Sequence, residues 1–412
     1  MGPIRRAAAA ALLGGVLVLT TACGGGASGA SASAGGGAQA AMAGGGASAP
    51  AAPVAGKSGQ PQPKVSAAVL DITPRNGAAD VAPGALQVSV AGGRLTTVHV
   101  TDKDGREIPG STTPDGARWA PAAPLAVGTA YRVNAVAADA AGVVASADSS
   151  FTTLTPQHEA SPSDNVTAGE TYGVGMIVSL TFDKDVRDKA EVAKGITFET
   201  DNGTEVKGHW FGDRRLDLRP EAYWKPGTRV TVHYRLKSVE ISPGVYGGVD
   251  TDEPFTIGRS QVSTVDADTH RMTVVRDGQS SVIPITSGSP EHPTWGGTMV
   301  ISAKEGVVRM QSSTLPGMTG APYDLMVPHS MRLTDSGTYL HGNWWGDSFG
   351  RSNTSHGCVG LQDVKGGGES TVAGRFYASS MVGDVVTVLH SDRGQVEPDN
   401  GLSGWNVAWG SW

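Results

Sequence analysis

The chain has 412 residues, a formal net charge of −7 at pH 7 and only two cysteines. This length exceeds that of one typical domain and predicts two or three. The acidic balance, with no cluster of basic side chains, argues against a nucleic-acid-binding protein. We therefore expect a multidomain protein that does not bind nucleic acid.

The first 22 residues have the pattern of a secretory signal. Arg5 and Arg6 precede an apolar run over 7–19, which is too short to span a bilayer comfortably. The small residues before Cys23 resemble a bacterial lipobox, which predicts that Cys23 becomes the lipidated first residue of the mature protein. The alternative is an ordinary signal peptide that is cut nearby.

Residues 23–63 are nearly all Gly, Ala, Ser, Pro and Gln. Such a composition cannot bury a core, so we expect a flexible tether. About 40 residues of flexible coil have a root-mean-square reach of roughly 35 Å. A lipid at one end and a tether behind it predict that the folded part is extracytoplasmic, anchored to the outer face of the cytoplasmic membrane and within the cell wall.

Residues 64–258 predict two immunoglobulin-like β-sandwiches, at 64–155 and 156–258. The region consists of short runs rich in Val, Thr and alternating apolar residues, separated by Gly, Pro and Asp. Short strands at this spacing are typical of β-sandwiches. A weak internal repeat supports two copies, because WAP at 119–121 and LRP at 218–220 each precede a Pro, a Gly-Thr pair and a strand.

The third region, at 259–390, is also predicted to be mainly β. It opens with a hairpin pattern that has a polar turn at 266–270 and the tight-turn pair Asp277-Gly278. Its main helical candidate lies at 369–380. A tryptophan-containing extension follows at 391–412.

The stretch HGNWWGDSFGRSNTSHGCVGLQ at 341–362 is the strongest candidate site. With Cys23 acylated, Cys358 has no disulfide partner, and a leftover cysteine in an exported protein is a candidate reactive thiol. His341 closes a β-run and is placed to act as the base. An imidazole there would lower the pKa of the thiol through an ion pair.

The glycine before the nucleophile indicates an oxyanion hole. Gly357 places no side chain beside Cys358, so the backbone N–H groups of His356, Gly357 and Cys358 can converge on a developing negative charge. Three other hypotheses stay open on residue types alone. They are a buried inert cysteine, a loop with incidental histidines, and a zinc site made by His341, His356, Cys358 and His329.

The motif and the chain around it resemble the L,D-transpeptidases, the YkuD-type enzymes that cross-link the cell wall. The resemblance rests on SHGCV at 355–359, with a His-Gly pair beginning at His341. It extends to the hairpins at 263–300 and to GLSGWNVAWGSW from Gly401. It implies a mainly β chain, in which two immunoglobulin-like sandwiches precede a mixed, mostly β L,D-transpeptidase catalytic domain.

Residue by residue, the resemblance implies Cys358 as the acylated nucleophile and His341 as the base. The backbone carbonyl of Gly342 would orient the other ring nitrogen of His341. The backbone N–H groups of His356, Gly357 and Cys358 match the oxyanion-hole donors of the family.

Four further residues are assigned to substrate binding: Tyr323, Ser355, Trp345 and Asn353. Tyr323 matches a tyrosine of a lid over 313–333, and Ser355 matches a motif position that supports the loop. Trp345 matches an aromatic that lines the site, with a core position as the alternative.

One position departs from the family pattern. Family members carry Arg, and actinobacterial ones often Asn, two residues after the cysteine, whereas this chain has Gly360. A side-chain contact from that position to the loop or to substrate is therefore absent.

The resemblance implies a peptidoglycan L,D-transpeptidase that needs no metal and no diffusible cofactor. Cys358 attacks the carbonyl of the third residue in a tetrapeptide donor stem, D-Ala leaves, and an acceptor amine resolves the thioester into a cross-link. Carbapenems are expected to acylate the same thiol. The expected partners are donor and acceptor stems and, through the lipid, the membrane; we expect a monomer. The alternatives are an L,D-carboxypeptidase, with water as acceptor, and a non-catalytic cell-wall-binding lipoprotein.

Overall fold

The computed structural model describes residues 64–314 and 322–412. The predicted signal at 1–22, the lipidation site Cys23 and the tether that follows lie outside the described residues, as do residues 315–321 of the predicted lid. No helix in the described part of the chain has the length and apolar character needed to cross a bilayer.

The first sandwich is built from eight strands, all of which lie within the predicted range 64–155. They are β1 (Val69–Thr73), β2 (Ala78–Val81), β3 (Gln87–Ala91), β4 (Gly93–Asp102), β5 (Gly110–Thr112), β6 (Arg118–Pro121), β7 (Ala130–Asp139) and β8 (Val144–Thr153). One sheet has the order β1-β3-β6-β5 and the other β2-β8-β7-β4. Side chains alternate along β7, so Tyr131 and Val133 point inward and pack with Trp119 in the core.

The second sandwich has two four-stranded sheets, a small third sheet and one short helix. Its elements are β9 (His158–Ala160), β10 (Pro162–Asp164), β11 (Thr171–Tyr172), β12 (Val178–Phe182), α1 (Lys189–Lys194), β13 (Ile196–Thr200), β14 (Val206–Phe211), β15 (Arg215–Pro220), β16 (Arg229–Arg235), β17 (Glu240–Ser242), β18 (Val245–Gly247) and β19 (Asp250–Ile257). The sheet orders are β10-β12-β15-β14, β11-β19-β16-β13 and β17-β18-β9. Trp224 is buried in this core.

The third domain is a single nine-stranded sheet with one helix packed on it. Its elements are β20 (Gln261–Asp266), β21 (Arg271–Arg276), β22 (Gln279–Thr286), β23 (Gly297–Val300), β24 (Ala303–Gln311), β25 (Asp324–Arg332), β26 (Tyr339–Asn343), β27 (Val359–Gln362), α2 (Val372–Ser379) and β28 (Val385–Leu389). Short 3-10 helices lie at Ser312–Thr314, Gly404–Asn406 and Trp409–Ser411. The strand order is β23-β28-β20-β21-β22-β27-β26-β25-β24. The predicted mainly β fold class is confirmed.

The candidate motif occupies the connection between two parallel strands. β26 and β27 pair in parallel, with Leu340 opposite Val359 and His341 opposite Gly360. Parallel neighbours require a crossover of a dozen residues or more, and residues 344–358 provide it. The crossover ends on Cys358, so the register of two buried strands fixes the cysteine beside the histidine.

The second sandwich and the third domain share a continuous hydrophobic core. Val300 and Val385 of the nine-stranded sheet pack into the core of the second sandwich. The backbone joins them as well, because Gly173 N–H donates to Val382 O at 2.7 Å and Gly175 N–H donates to Gly383 O at 2.8 Å. We infer that the third domain and the second sandwich behave as one rigid piece.

The extension at 391–412 reinforces this junction by enclosing a buried arginine. The guanidinium of Arg219, on β15, lies over the rings of Trp405, Trp409 and Trp412, with centroid distances of 4.7, 5.5 and 4.2 Å. Its Nη2 also donates to Val407 O at 2.7 Å. The described residues that contact this cation are indole faces and backbone carbonyls, including Pro220 O at 3.0 Å, and these stabilise it.

We expect Arg219→Ala to destabilise the junction between the second sandwich and the third domain. The change removes a desolvated cation held by three indoles and leaves a cavity, a loss of about 2–4 kcal/mol in the free energy of unfolding. Urea unfolding followed by tryptophan fluorescence measures it.

The matched control is Arg132→Ala, which removes an exposed arginine from β7 of the first sandwich. Such a surface change is expected to stay within about 0.5 kcal/mol of the wild type. Equal losses of unfolding free energy in the two variants would show that the three indoles around Arg219 do not stabilise the junction.

Candidate active site

A cavity of about 490 Å³ lies at the end of the crossover that follows β26. Six of the residues singled out from the sequence contribute to its wall: Tyr323, His341, Trp345, Ser355, His356 and Cys358. Tyr339 and Asn343 of β26 line it too. A concave site with a few convergent polar groups is the usual form of a small-molecule or peptide site.

His341 is buried, and its ring is fixed by one backbone contact. Its Nδ1 lies 3.0 Å from Gly342 O. A carbonyl can only accept, so Nδ1 carries the proton and the lone pair of Nε2 is free to act as a base. Burial lowers the pKa of His341 to about 4. The imidazole is therefore neutral at pH 7, oriented as the sequence resemblance implied.

Cys358 is half-buried in the cavity wall, and its thiol is un-ionised. Burial raises its pKa to about 11, and its S–H donates to Gly337 O at 3.7 Å. This direction is opposite to the lowering that an ion pair with His341 would give, because burial disfavours the charged form of each group. Both groups line the same cavity.

Ser355 holds the loop in shape around the cysteine. Its hydroxyl accepts from Gly357 N–H at 3.2 Å and donates to Cys358 O at 2.5 Å. Gly357 has φ +115°, a conformation that L side chains rarely adopt. Since its N–H is occupied by Ser355, the described residues leave the N–H groups of His356 and Cys358 without an acceptor. Those two groups, rather than three, are the candidate oxyanion donors.

Tyr323 and Trp345 both line the cavity that contains the nucleophile. The Tyr323 ring packs 5.0 Å from the His356 ring, and burial raises the pKa of its hydroxyl. Trp345 is 44% exposed and stacks on His341 at 5.7 Å. The alternative that Trp345 is a core residue is therefore wrong. In the described part of the predicted lid, β25 is a regular strand of the sheet.

Two residues considered from the sequence lie outside the cavity wall. The Asn353 amide donates to Ala267 O and accepts from Ser287 N, at 2.8 and 3.0 Å, so it supports the loop from behind rather than facing substrate. His329 hydrogen-bonds through Nδ1 to the buried Asp363 carboxylate at 2.7 Å. In residues 64–314 and 322–412 no group of three or more metal-ligating side chains is assembled.

Asn343 was missed in the sequence. It lies two residues after His341 on β26 and shares its face, so the period-two pattern of a strand was the available signal. The structure also explains the glycine at 360. A Cβ atom there would lie 3.0 Å from Thr286 Cγ2 and 3.3 Å from Asn343 Cβ. Asn343 therefore occupies the space that a side chain at 360 would need.

Two family models match the chain. The family model described as a bacterial Ig domain matches residues 78–240, and the model described as an L,D-transpeptidase catalytic domain matches residues 260–388. An L,D-transpeptidase structure from Mycobacterium smegmatis is 27% identical, with a TM-score of 0.44, and the match covers 56% of this chain and 98% of that one.

Two proteins of Mycobacterium tuberculosis are similar over most of their length. L,D-transpeptidase 5 (strain ATCC 25618 / H37Rv) is 28% identical over 354 residues, which cover 83% of this chain and 76% of that protein. L,D-transpeptidase 2 (strain CDC 1551 / Oshkosh) is 31% identical over 355 residues, which cover 85% of this chain and 84% of that protein. With this extent of similarity, and a cavity built around a cysteine and a neutral histidine, the chain belongs to the L,D-transpeptidase family of acyltransferases.

Proposed function

We propose that this protein forms peptidoglycan cross-links through a thioester on Cys358. The observation that carries the proposal is the fixed His341 ring, whose Nδ1 is bound to Gly342 O and whose Nε2 is left as a base in the same cavity as the thiol. A positioned neutral imidazole is the standard means of activating a cysteine that is not ionised at rest.

Acylation begins when a tetrapeptide stem enters the cavity. The Cys358 proton moves to His341 Nε2 as the sulfur attacks the carbonyl carbon of the third residue. The N–H groups of His356 and Cys358 are available to the oxyanion. The C–N bond to D-Ala then breaks, and His341 returns the proton to the departing amine. A thioester to the third residue remains.

Transfer reverses the proton movement. An acceptor amine attacks the thioester carbonyl and gives its proton to His341, and the sulfur leaves and regains a proton. The product is an amide that ends on the third residue of the donor. Water in place of the amine would give the L,D-carboxypeptidase reaction with the same residues.

The N-terminal segments suit a polymer substrate outside the membrane. Lipidation at Cys23 would hold the protein on the outer face of the cytoplasmic membrane, and the tether and two sandwiches would raise the cavity into the cell wall. Donor and acceptor stems are the partners of the reaction. We expect the protein to act as a monomer.

The first test is intact mass spectrometry of residues 64–412 after incubation with a disaccharide-tetrapeptide, with and without an amine acceptor. We expect a product that carries the acceptor in place of D-Ala, and an acyl-enzyme mass on the wild type. Cys358→Ala is the control and should give neither. Loss of D-Ala without acceptor incorporation would identify a carboxypeptidase, and no reaction at all would favour a wall-binding module.

The neutral resting pair predicts two different pH profiles. Alkylation of Cys358 by iodoacetamide needs the thiolate, so its rate should rise about tenfold per pH unit from pH 7 to 10, since the pKa is raised to about 11. Acylation by a carbapenem uses His341 as the base and should change little between about pH 6 and 9, because the pKa of His341 is lowered to about 4. An alkylation rate that levels off near pH 7 would contradict a neutral Cys358–His341 pair and would support a thiolate–imidazolium ion pair.

Ser355→Ala should slow acylation without unfolding the protein. The change removes the hydroxyl that joins Gly357 N–H to Cys358 O, so the loop loses the contacts that set the direction of the nucleophile and its oxyanion donors. We expect kcat for D-Ala release to fall about 10–100-fold. The matched control is Ser352→Ala, in the same loop but exposed, and a similar loss there would remove the special role of Ser355.

A further inference from the structure

Asn343 is a buried amide in the wall of the cavity. It is 4% exposed and lies on the face of β26 that carries His341. Its Oδ1 accepts from Trp345 N–H at 3.1 Å and from Gly346 N–H at 3.2 Å. Only the oxygen of a carboxamide can accept two N–H donors, so these contacts fix which end of the amide is which.

The other end of this amide is a donor without a partner. Among the described residues no acceptor binds Asn343 Nδ2, although the residue is buried. The nitrogen lies 3.3 Å from the point where a Cβ on Gly360 would stand, so the glycine leaves it uncovered. Nδ2 is not among the fully enclosed side-chain atoms that lack a partner, so it is open to the cavity, and a ligand acceptor there can replace solvent as its partner.

The position of Asn343 Nδ2 relative to His341 indicates which group of the substrate it contacts. Two residues along a strand span roughly 6.6 Å, and both side chains face the cavity. His341 must reach the scissile nitrogen of the donor stem to protonate it. The carboxyl group of the leaving D-Ala is two bonds beyond that nitrogen and is the nearer candidate. Where the third residue is diaminopimelate, its distal carboxyl is a second candidate.

The cavity offers little competing positive charge. Arg309, which also lines the wall, is held by Asp324 through two contacts of 2.6 and 2.8 Å. His341 is neutral, as its lowered pKa requires. The neutral amide of Asn343 is therefore the donor that can bind a carboxylate oxygen in this part of the cavity wall.

We propose that Asn343 Nδ2 donates a hydrogen bond to a carboxylate of the donor stem and makes the enzyme select stems in which that carboxylate is free. Asn343 is a specificity-determining residue in this role, because it touches substrate but takes no part in proton transfer. The inference rests on the proposed transpeptidase function and adds to it the substrate group that is recognised.

The test replaces the donor nitrogen of Asn343 by a negatively charged oxygen. Asn343→Asp keeps an oxygen for Trp345 N–H and Gly346 N–H but replaces the donor by a negative acceptor. The substrates are three disaccharide-tetrapeptides with diaminopimelate: one with both carboxylates free, one amidated at D-Ala and one amidated at the distal carboxyl. The readout is the ratio of kcat/KM for D-Ala release between free and amidated forms.

We expect the wild type to prefer the free carboxylate at the contacted position by about tenfold, and Asn343→Asp to prefer the amide there by about tenfold or more. Amidation at the other carboxyl group should not reverse the preference in the variant. The carboxyl group at which the preference reverses is therefore the one that Asn343 contacts. An effect of the new charge on the basicity of His341 acts on all three substrates and cancels in the ratios.

Where turnover is slow, the same ratios are taken from the dissociation constants of the three substrates, measured on proteins that also carry Cys358→Ala. An Asn343→Asp protein without catalytic activity therefore still tests the inference. Ratios that stay equal in wild type and variant, at both positions, would overturn the inference while leaving the transpeptidase reaction intact. A wild type that releases no D-Ala from any substrate would overturn the proposed function, and the inference with it.

Discussion

The parallel pairing of β26 with β27 is the constraint on which the site depends. The pairing sets His341 opposite Gly360 and forces the intervening residues into a long crossover that ends on Cys358. Both strands are buried and packed in the middle of the sheet, so a slip of one residue would turn His341 and Asn343 away from the cavity. Reactive groups that are 17 residues apart in sequence thus share a geometry set by the core. The loop contacts of Ser355 only refine it.

Burial, more than pairing of charges, sets the chemistry of the site. Enclosure moves the pKa of His341 down to about 4 and that of Cys358 up to about 11, so both groups are neutral over the whole physiological range. A neutral pair is less exposed to adventitious oxidation than a thiolate, because reactivity with oxidants follows thiolate character. Charge then develops only during attack, next to backbone donors that are already in place. The isolation of the thiol is therefore part of how the site works.

Much of this could be predicted from the sequence, and the failures have physical causes. The resemblance carried by the SHGC motif and His341 implied the nucleophile, the base and the contact to Gly342, and the structure shows that contact. Asn353 was misassigned to substrate because its motif position does not reveal that its amide faces Ala267 O and Ser287 N across the fold. Asn343 was missed because its relation to Gly360 depends on the register between two strands. The pKa direction of Cys358 depends on enclosure, which composition does not reveal.

The cage around Arg219 has a consequence for how the protein is made. Its partner Val407 follows 188 residues later in the chain, and the indoles lie in the same late segment. At a synthesis rate of about 5–20 residues per second, the second sandwich waits on the order of 10–40 s for these partners. During that interval the Arg219 guanidinium lacks its indole contacts, and the surface that the indoles later cover is exposed. Export in an unfolded state, or a chaperone that covers this surface, would spare the half-made chain from aggregation.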